Sequence, residues 1–366
     1  MGVGTRALED LVSGDANPWR GRRVLVTGHT GFSGGWLALW LHRLAASVHG
    51  YALEPPTEPS LFEACRIGPL LASDTRADLA DRARLRTAFE RCAPEAVFHL
   101  AAQPLVREGY RDPLGTLATN VMGTAHVLDA VRGTPSVRAL VVVTTDKVYE
   151  NREDGRAYRE SDPLGGHDPY SASKAAAEIV VAGYRRSFSF TNIATARAGN
   201  VVGGGDWAAE RLVPDCLRAF AAGEPVKLRY PESVRPWQHV LDALQGYLRL
   251  GERLLSPHGA RYARAWNLGP GAAGDATVAD IAERLARAWG NGARVERAAD
   301  ATNPHEAGLL RLDSSEAAAR LGWAPRWSLE QALEHTVLWH RAWQRGADMA
   351  AFSLGQLAAY EKAEQR

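Results

Sequence analysis

RVLVTGHTGFSGGWLALWL, residues 23–41, is the stretch on which the fold turns. Its first five residues are mostly apolar and β-branched, which suits a buried strand. Gly28, Gly31 and Gly34 follow at a G-x-x-G-x-x-G spacing. Residues 34–45, GGWLALWLHRLA, then carry apolar side chains at helical spacing. A strand that passes through glycines into a helix aims backbone amides and the positive helix end at a phosphate group. Such a trio also describes any tight strand-to-helix turn. At the first strand of an alternating chain it points to a dinucleotide, touched by Gly28, Thr30, Gly31, Phe32, Ser33 and Gly34. Trp36 and Trp40, four apart on that helix, read as core.

The alternation continues outward. Strands are expected at 47–53, 95–102, 138–145 and 192–199, and helices at 82–92, 114–133 and 170–186. This predicts an α/β fold with a Rossmann-type doubly wound parallel sheet, covered by helices on both faces. Ligands then meet the carboxyl ends of the strands, at Gly28, Ala101, Thr145 and Asn200. Beyond Asn200 come the loops VVGGGDW (201–207) and YPESVRPW (230–237), then helices at 240–254, 278–289 and 328–343. The division expected is a leader at 1–20, a dinucleotide domain at 21–200 and 236–260, and a smaller, mostly helical substrate domain at 201–235 and 261–366.

The 366 residues are 46% hydrophobic and 23% charged with net charge +1, so nothing attracts the chain generally to nucleic acid or to an anionic membrane. Cys65, Cys92 and Cys216 are odd in number and fit no zinc spacing; they read as free thiols in a reducing compartment, with no metal site. Residues 1–10 lack the apolar core of a signal peptide, and no apolar run approaches the roughly 18 residues of a membrane span. A cytoplasmic location is expected.

At the second strand, HGYALE (49–54), the position that grips an adenosine ribose holds Ala52, with Glu54 two residues late and no arginine nearby for a 2′-phosphate. NAD is favoured over NADP. ADLAD (77–81) sets Asp78 and Leu79 against the adenine, although Asp78 reads equally well as a helix N-cap.

The chemistry lies further on. VVVTTDKVYEN (141–151) starts as a buried strand and breaks into Thr144, Thr145, Asp146 and Lys147. HDPYSASKAAAE (167–178) places Tyr170 and Lys174 one helical turn apart, with Asp168 and Pro169 suited to the N-cap and first helical position. A phenol titrates near 10, so it acts as a base at neutral pH only with help, and a neighbouring ammonium stabilises the phenolate.

With HLAAQ (99–103) and TNVMGT (119–124), these features resemble the extended short-chain dehydrogenase/reductase family over about residues 20–270. The resemblance implies retained NAD near Ala101, Ala102, Tyr170 and Lys174. It also implies hydride transfer at a sugar carbon, with Thr145 sharing the substrate hydroxyl. Longer strings are similar to the CDP-glucose 4,6-dehydratases within it: GHTGFSGGWLALWL (28–41), GYALEPPTEPSLFE (50–63), DKVYENRE (146–153), DPLGGHDPYSASKAAAE (162–178), RAGNVVGGGDW (197–207) and RPWQHV (235–240). Ser33, Gly35 and Val148 depart conservatively.

That likeness implies a hydro-lyase acting on CDP-glucose by internal redox, feeding deoxysugars of surface polysaccharide such as O-antigen lipopolysaccharide. Gln103, Asn200, Arg211, Arg235 and His239 are its substrate-binding candidates. Helices 114–133 and 170–186 would pair in a homodimer or dimer of dimers. Asp146 and Lys147 stand where related dehydratases carry an Asp–Glu pair. Asp146 would protonate the leaving 6-hydroxyl, while Lys147 would remove the C5 proton if neutral, or stabilise the C5 enolate if charged. Both must face one sugar, so the strand has to end before them, because strand neighbours point to opposite faces. An epimerase, or a dehydratase for another nucleotide sugar, is the alternative enzyme. A non-catalytic NAD-sensing protein is the alternative of another class, and it would have no use for Tyr170 and Lys174.

Overall fold

A computed structural model describes residues 17–189, 191–297 and 307–363. The strands are β1 (Arg23–Thr27), β2 (Ser47–Ala52), β3 (Ser73–Arg76), β4 (Ala96–His99), β5 (Ala139–Val143), β6 (Asn192–Ala198), β7 (Asn200–Val202), β8 (Val226–Leu228), β9 (Val234–His239), β10 (Ala265–Leu268), β11 (Asp275–Thr277) and β12 (Val295–Arg297). The helices are α1 (Phe32–Arg43), α2 (Leu61–Ala64), α3 (Arg82–Cys92), α4 (Val106–Arg111), α5 (Pro113–Leu117), α6 (Gly123–Arg132), α7 (Pro169–Ser187), α8 (Leu212–Ala222), α9 (Val240–Leu255), α10 (Val278–Trp289), α11 (Leu329–Gln344) and α12 (Met349–Lys362).

Seven parallel strands form the main sheet in the order β10-β6-β5-β4-β1-β2-β3. The order runs outward both ways from the β1–β4 pair, and the crevice at that switch point is where such sheets take ligands. The central strands are buried on both faces, as the Val-rich run of β5 requires. β3 escapes sequence reading because SDTR has no apolar pattern; it is a polar edge strand whose register comes from β2.

The expected helix at 114–133 is three pieces. Asp112 caps α5 through the Gly115 amide, and Ala118–Met122 widens into a π turn before α6. Within that turn the buried Asn120 amide group donates to the Gln103 carbonyl and the Ser173 hydroxyl.

The second unit holds β7, β9 and β11 in one small sheet and β8 with β12 in another. They are packed with α8, α10 and one face of α11 around Phe220, Trp237, Ile281, Leu285 and Trp289.

Three expected boundaries move. β9 carries residues 236–239, expected in the dinucleotide domain, into the small sheet of the second unit. β10 hydrogen-bonds to β6 at the edge of the main sheet, so residues 265–268 belong with the dinucleotide unit. Trp323, Trp327, Trp339, Met349, Leu357 and Tyr360 share one core with Trp36, Trp40 and Leu244, so the C-terminal helices also close that unit. Of the expected leader, residues 1–16 lie outside the described residues. Trp19 is 1% exposed, and its indole donates to Glu252 at 2.9 Å. Trp19 is therefore part of the core wall, and the residues either side of it lie at the surface.

Candidate active site

The carboxyl ends of β5 and β6 open into a cleft of about 390 Å³ between the two units. β5 stops at Val143. Thr145 then caps a single 3₁₀ turn, Asp146–Val148, accepting from the Lys147 amide at 3.4 Å and donating to Asp146 Oδ1 at 2.9 Å. This turn is why two adjacent side chains, Asp146 and Lys147, line the same cleft. Asp146 is 2% exposed, and its Oδ2 has no hydrogen-bond partner among the described residues. Burial holds its carboxyl above the usual carboxylate range, against the pull of Lys147 and the Thr145 hydroxyl.

α7 begins as its sequence demands. Pro169 occupies the first turn, and Asp168 accepts from the Ser171 amide at 2.9 Å. Tyr170 lines the cleft from this first turn. Burial pushes its phenol up to about 12, opposed by a Thr145 hydrogen bond and the Arg211 charge and assisted by Asp146 and Asp168. Lys174, one turn on, is pushed down to about 8 by burial, with Glu178 opposing. Its Nζ donates to the Val143 carbonyl at 3.2 Å. Arg211 thus adds a positive charge at the phenol, while the Lys174 ammonium is tied to the strand end.

The glycine turn fits a dinucleotide. Gly28 has φ +77°, and a Cβ there would lie 2.7 Å from the Ala101 amide nitrogen. A Cβ at Gly34 would run into the Gly28 carbonyl. No side chain caps the N-terminus of α1 at Gly31 and no acid sits in its first turn, so its amides are left for an anion. Thr30 is tied to the Leu53 carbonyl at 3.0 Å, Phe32 and Ser33 reach the cleft, and Ala101 is held by the Thr27 hydroxyl at 3.3 Å, with Ala102 next in the chain. Leu79 is buried against Gly123. Asp78 takes the Ala80 amide at 2.8 Å and is not the helix cap, because Asp81 caps α3.

One absence read from the sequence is corrected: Arg76, at the end of β3, stands beside Glu54 at 2.8 Å. Its guanidinium is also bound by Asp74 at 2.7 Å, so two carboxylates offset its charge and the edge remains suited to a ribose hydroxyl.

Of the expected substrate contacts, Asn200, Arg211 and Arg235 line the cleft. Arg211 is paired with Asp206 at 3.0 Å, and Arg235 donates to the Val234 and Ala307 carbonyls. Gln103 is drawn elsewhere, its amide group donating to Thr116 and its oxygen accepting from the Leu105 amide. His239 is fully buried as the N-cap of α9, bonded to the Leu241 amide and packed edge-on to Trp327. Neither lines the cleft. Arg107, Lys227 and Arg229 do, unforeseen, because α4 and β8 carry no motif and meet only across the cleft.

A doubly wound sheet with a glycine cradle and Thr145, Tyr170 and Lys174 at its crevice defines an extended short-chain dehydrogenase/reductase. A family model described as GDP-mannose 4,6 dehydratase matches residues 25–336. The chain is 47% identical to a CDP-glucose 4,6-dehydratase of Salmonella typhimurium strain LT2, covering 96% of this chain and 99% of that protein. It is 32% identical to a dTDP-glucose 4,6-dehydratase of Streptomyces griseus over 68% of this chain and 73% of that one. The chain belongs to this family of nucleotide-sugar 4,6-dehydratases, which are hydro-lyases. The fold is also that of a dTDP-glucose 4,6-dehydratase from Bacillus anthracis strain Ames solved with NAD, at TM-score 0.75 and 20% identity, covering 89% of this chain and 99% of that one.

Proposed function

We propose that the protein dehydrates CDP-D-glucose to CDP-4-keto-6-deoxy-D-glucose. The observation that carries this reading is the 3₁₀ turn that brings Asp146 and Lys147 together beside Tyr170. An epimerase needs only the tyrosine, whereas loss of water needs an acid and a base at neighbouring carbons. The cytidine base is supported by the 47% identity to the Salmonella enzyme.

Tyr170 takes the proton of the sugar 4-hydroxyl, which Thr145 shares. NAD, when bound, would supply a positive charge that favours the phenolate and a reversible hydride acceptor for C4 and C6, with C5 regaining its proton from solvent. The 4-keto group acidifies C5, and Lys147 removes that proton or stabilises the enolate. Asp146, whose hold on a proton burial strengthens, delivers a proton to the departing 6-hydroxyl. Gly28, Gly31 and Gly34 leave room for the pyrophosphate of NAD, and Lys174 holds the nicotinamide end. Arg211, Arg235 and Asn200 hold the substrate diphosphate; a guanidinium fork suits phosphate well.

Leu114, Leu117, Met122 and Ile179 are exposed apolar residues on α5, the π turn and α7. We assign that face to a homodimer contact. A cytoplasmic location suits the three buried free thiols.

The test is a panel of NDP-glucoses with mass detection. CDP-glucose should lose one water, and deuterium placed on C4 should reappear on C6 of the same molecule while C5 takes hydrogen from solvent. Isomerisation without loss of mass, or C4 label released to solvent, refutes the reading.

A further inference from the structure

Behind the catalytic helix lies a buried cluster that the mechanism above does not use. Glu178 follows Lys174 by one turn on α7 and is 3% exposed. Its two oxygens accept four bonds: Thr144 at 2.6 Å, Thr195 at 2.7 Å, and Arg197 through Nε at 3.0 Å and Nη2 at 2.9 Å. Arg197 is anchored from behind, donating to the Tyr149 hydroxyl at 2.9 Å, which itself donates to Asn267 of β10 at 2.6 Å. One carboxylate thus joins α7 to β6 and to the residue that follows β5. Thr144 is the residue immediately before the Thr145–Lys147 turn.

We propose that Glu178 is a positioning residue for the reaction. It supplies the buried counter-charge of Lys174, and through Thr144 it holds the turn carrying Thr145, Asp146 and Lys147 in register with Tyr170. An ion pair buried merely for stability gains little over apolar packing. Here Tyr170, Lys174 and Glu178 recur every four residues, so the charge falls on the catalytic face of the helix.

The charged and titratable groups acting on Lys174 are Glu178, from its own helix, and His99 from β4, which burial keeps neutral by lowering it to about 3. Glu178 faces Arg197 from β6 and Arg185 from its own helix. Burial works against its ionisation, yet Arg197 and the two hydroxyls keep it below the usual carboxylate range. It is therefore charged wherever Lys174 titrates.

This rests on the reading that Lys174 and the Thr145 turn serve the reaction, so the first measurement needs no substrate. The double variant Glu178→Gln/Arg197→Gln removes both charges of the pair at similar volume. Glu178 is the charge that raises Lys174 against burial, so the variant removes its counter-charge. NAD binding is followed by tryptophan fluorescence across pH. In the wild type the affinity should fall as Lys174 deprotonates near pH 8. In the variant that midpoint should move down by about one pH unit. In turnover, kcat should fall at least ~10-fold with KM for the nucleotide sugar changed less than ~3-fold, as expected of an interaction that matters chiefly in the transition state.

An unmoved midpoint with unmoved kcat overturns the proposal. Wild-type protein that dehydrates no NDP-glucose would sink the functional reading and leave the NAD titration to decide this one. Should the double variant fail to fold, Thr144→Val decides, because it leaves the ion pair in place. A kcat loss restored by Thr144→Ser supports the proposal, and an unchanged kcat overturns it.

Discussion

Asp146→Asn separates the acid from everything around it. The side chains are nearly isosteric, and the asparagine oxygen keeps the 2.9 Å bond from Thr145. What is lost is the proton meant for the 6-hydroxyl. A positioned general acid contributes about 10²–10⁴-fold, so water loss should slow by that factor while C4 oxidation proceeds. Bound NADH and a 4-keto sugar lighter than the substrate by two hydrogens, and not by water, should accumulate, read by NADH absorbance and mass spectrometry on one sample.

Burial also gives this carboxyl a stability signature. Its folded pKa lies above its unfolded value. Between the two, the folded chain keeps a proton that the unfolded chain has released, so the site's contribution to stability is lost as pH rises through that window. Each unit of separation is worth about 1.4 kcal/mol. Asparagine does not titrate, so the difference in Tm between variant and wild type should grow in the variant's favour from the ordinary carboxylate value upward. Normal water loss in Asp146→Asn would refute the assignment of the acid. A Tm difference that ignores pH would refute the account of its burial.

Tyr170→Phe should lower turnover by about 10²–10⁴-fold with an unchanged circular dichroism spectrum; near-normal turnover would remove the tyrosine from the mechanism. Lys147→Met should still oxidise C4 and hold NADH without expelling water, and elimination at the normal rate would make the lysine structural. Gly28→Ala forces a side chain into φ +77° and against the Ala101 backbone. It should cost at least about 1–3 kcal/mol and abolish NAD binding in a calorimetric titration, whereas normal affinity would show that the turn is not the cradle. Leu114→Asp changes a side chain that is 78% exposed, so it should leave the fold intact and yield monomers in sedimentation; an unchanged oligomer would place the contact elsewhere.

What could be read from the chain alone was local. The strand–glycine–helix run at residues 23–41 encodes its own turn, because Gly28 needs a left-handed backbone and α1 needs an uncapped start. The Tyr170–Lys174 pair was legible because one helical turn sets its spacing, and Asp168 with Pro169 marks where that turn begins. The family likeness rests on such strings.

The tertiary structure decided whatever depends on residues far apart in sequence. His239 has the composition of a ligand contact, yet it caps α9 under Trp327. Gln103 follows a strand end as a site residue would, but Thr116 and the Leu105 amide take its side chain. β10 and the C-terminal helices return to the first sheet because Trp36 and Trp40 must bury against something, and Trp339 and Tyr360 supply it. Glu178 could be placed behind Lys174 from spacing alone. That it holds β6 and the residue after β5 at once became visible only when Thr144, Thr195 and Arg197 met around it. Periodicity and turn chemistry act over a few residues and are written in sequence order; hydrogen-bond satisfaction and the closing of a core act through space, so the folded chain settles them.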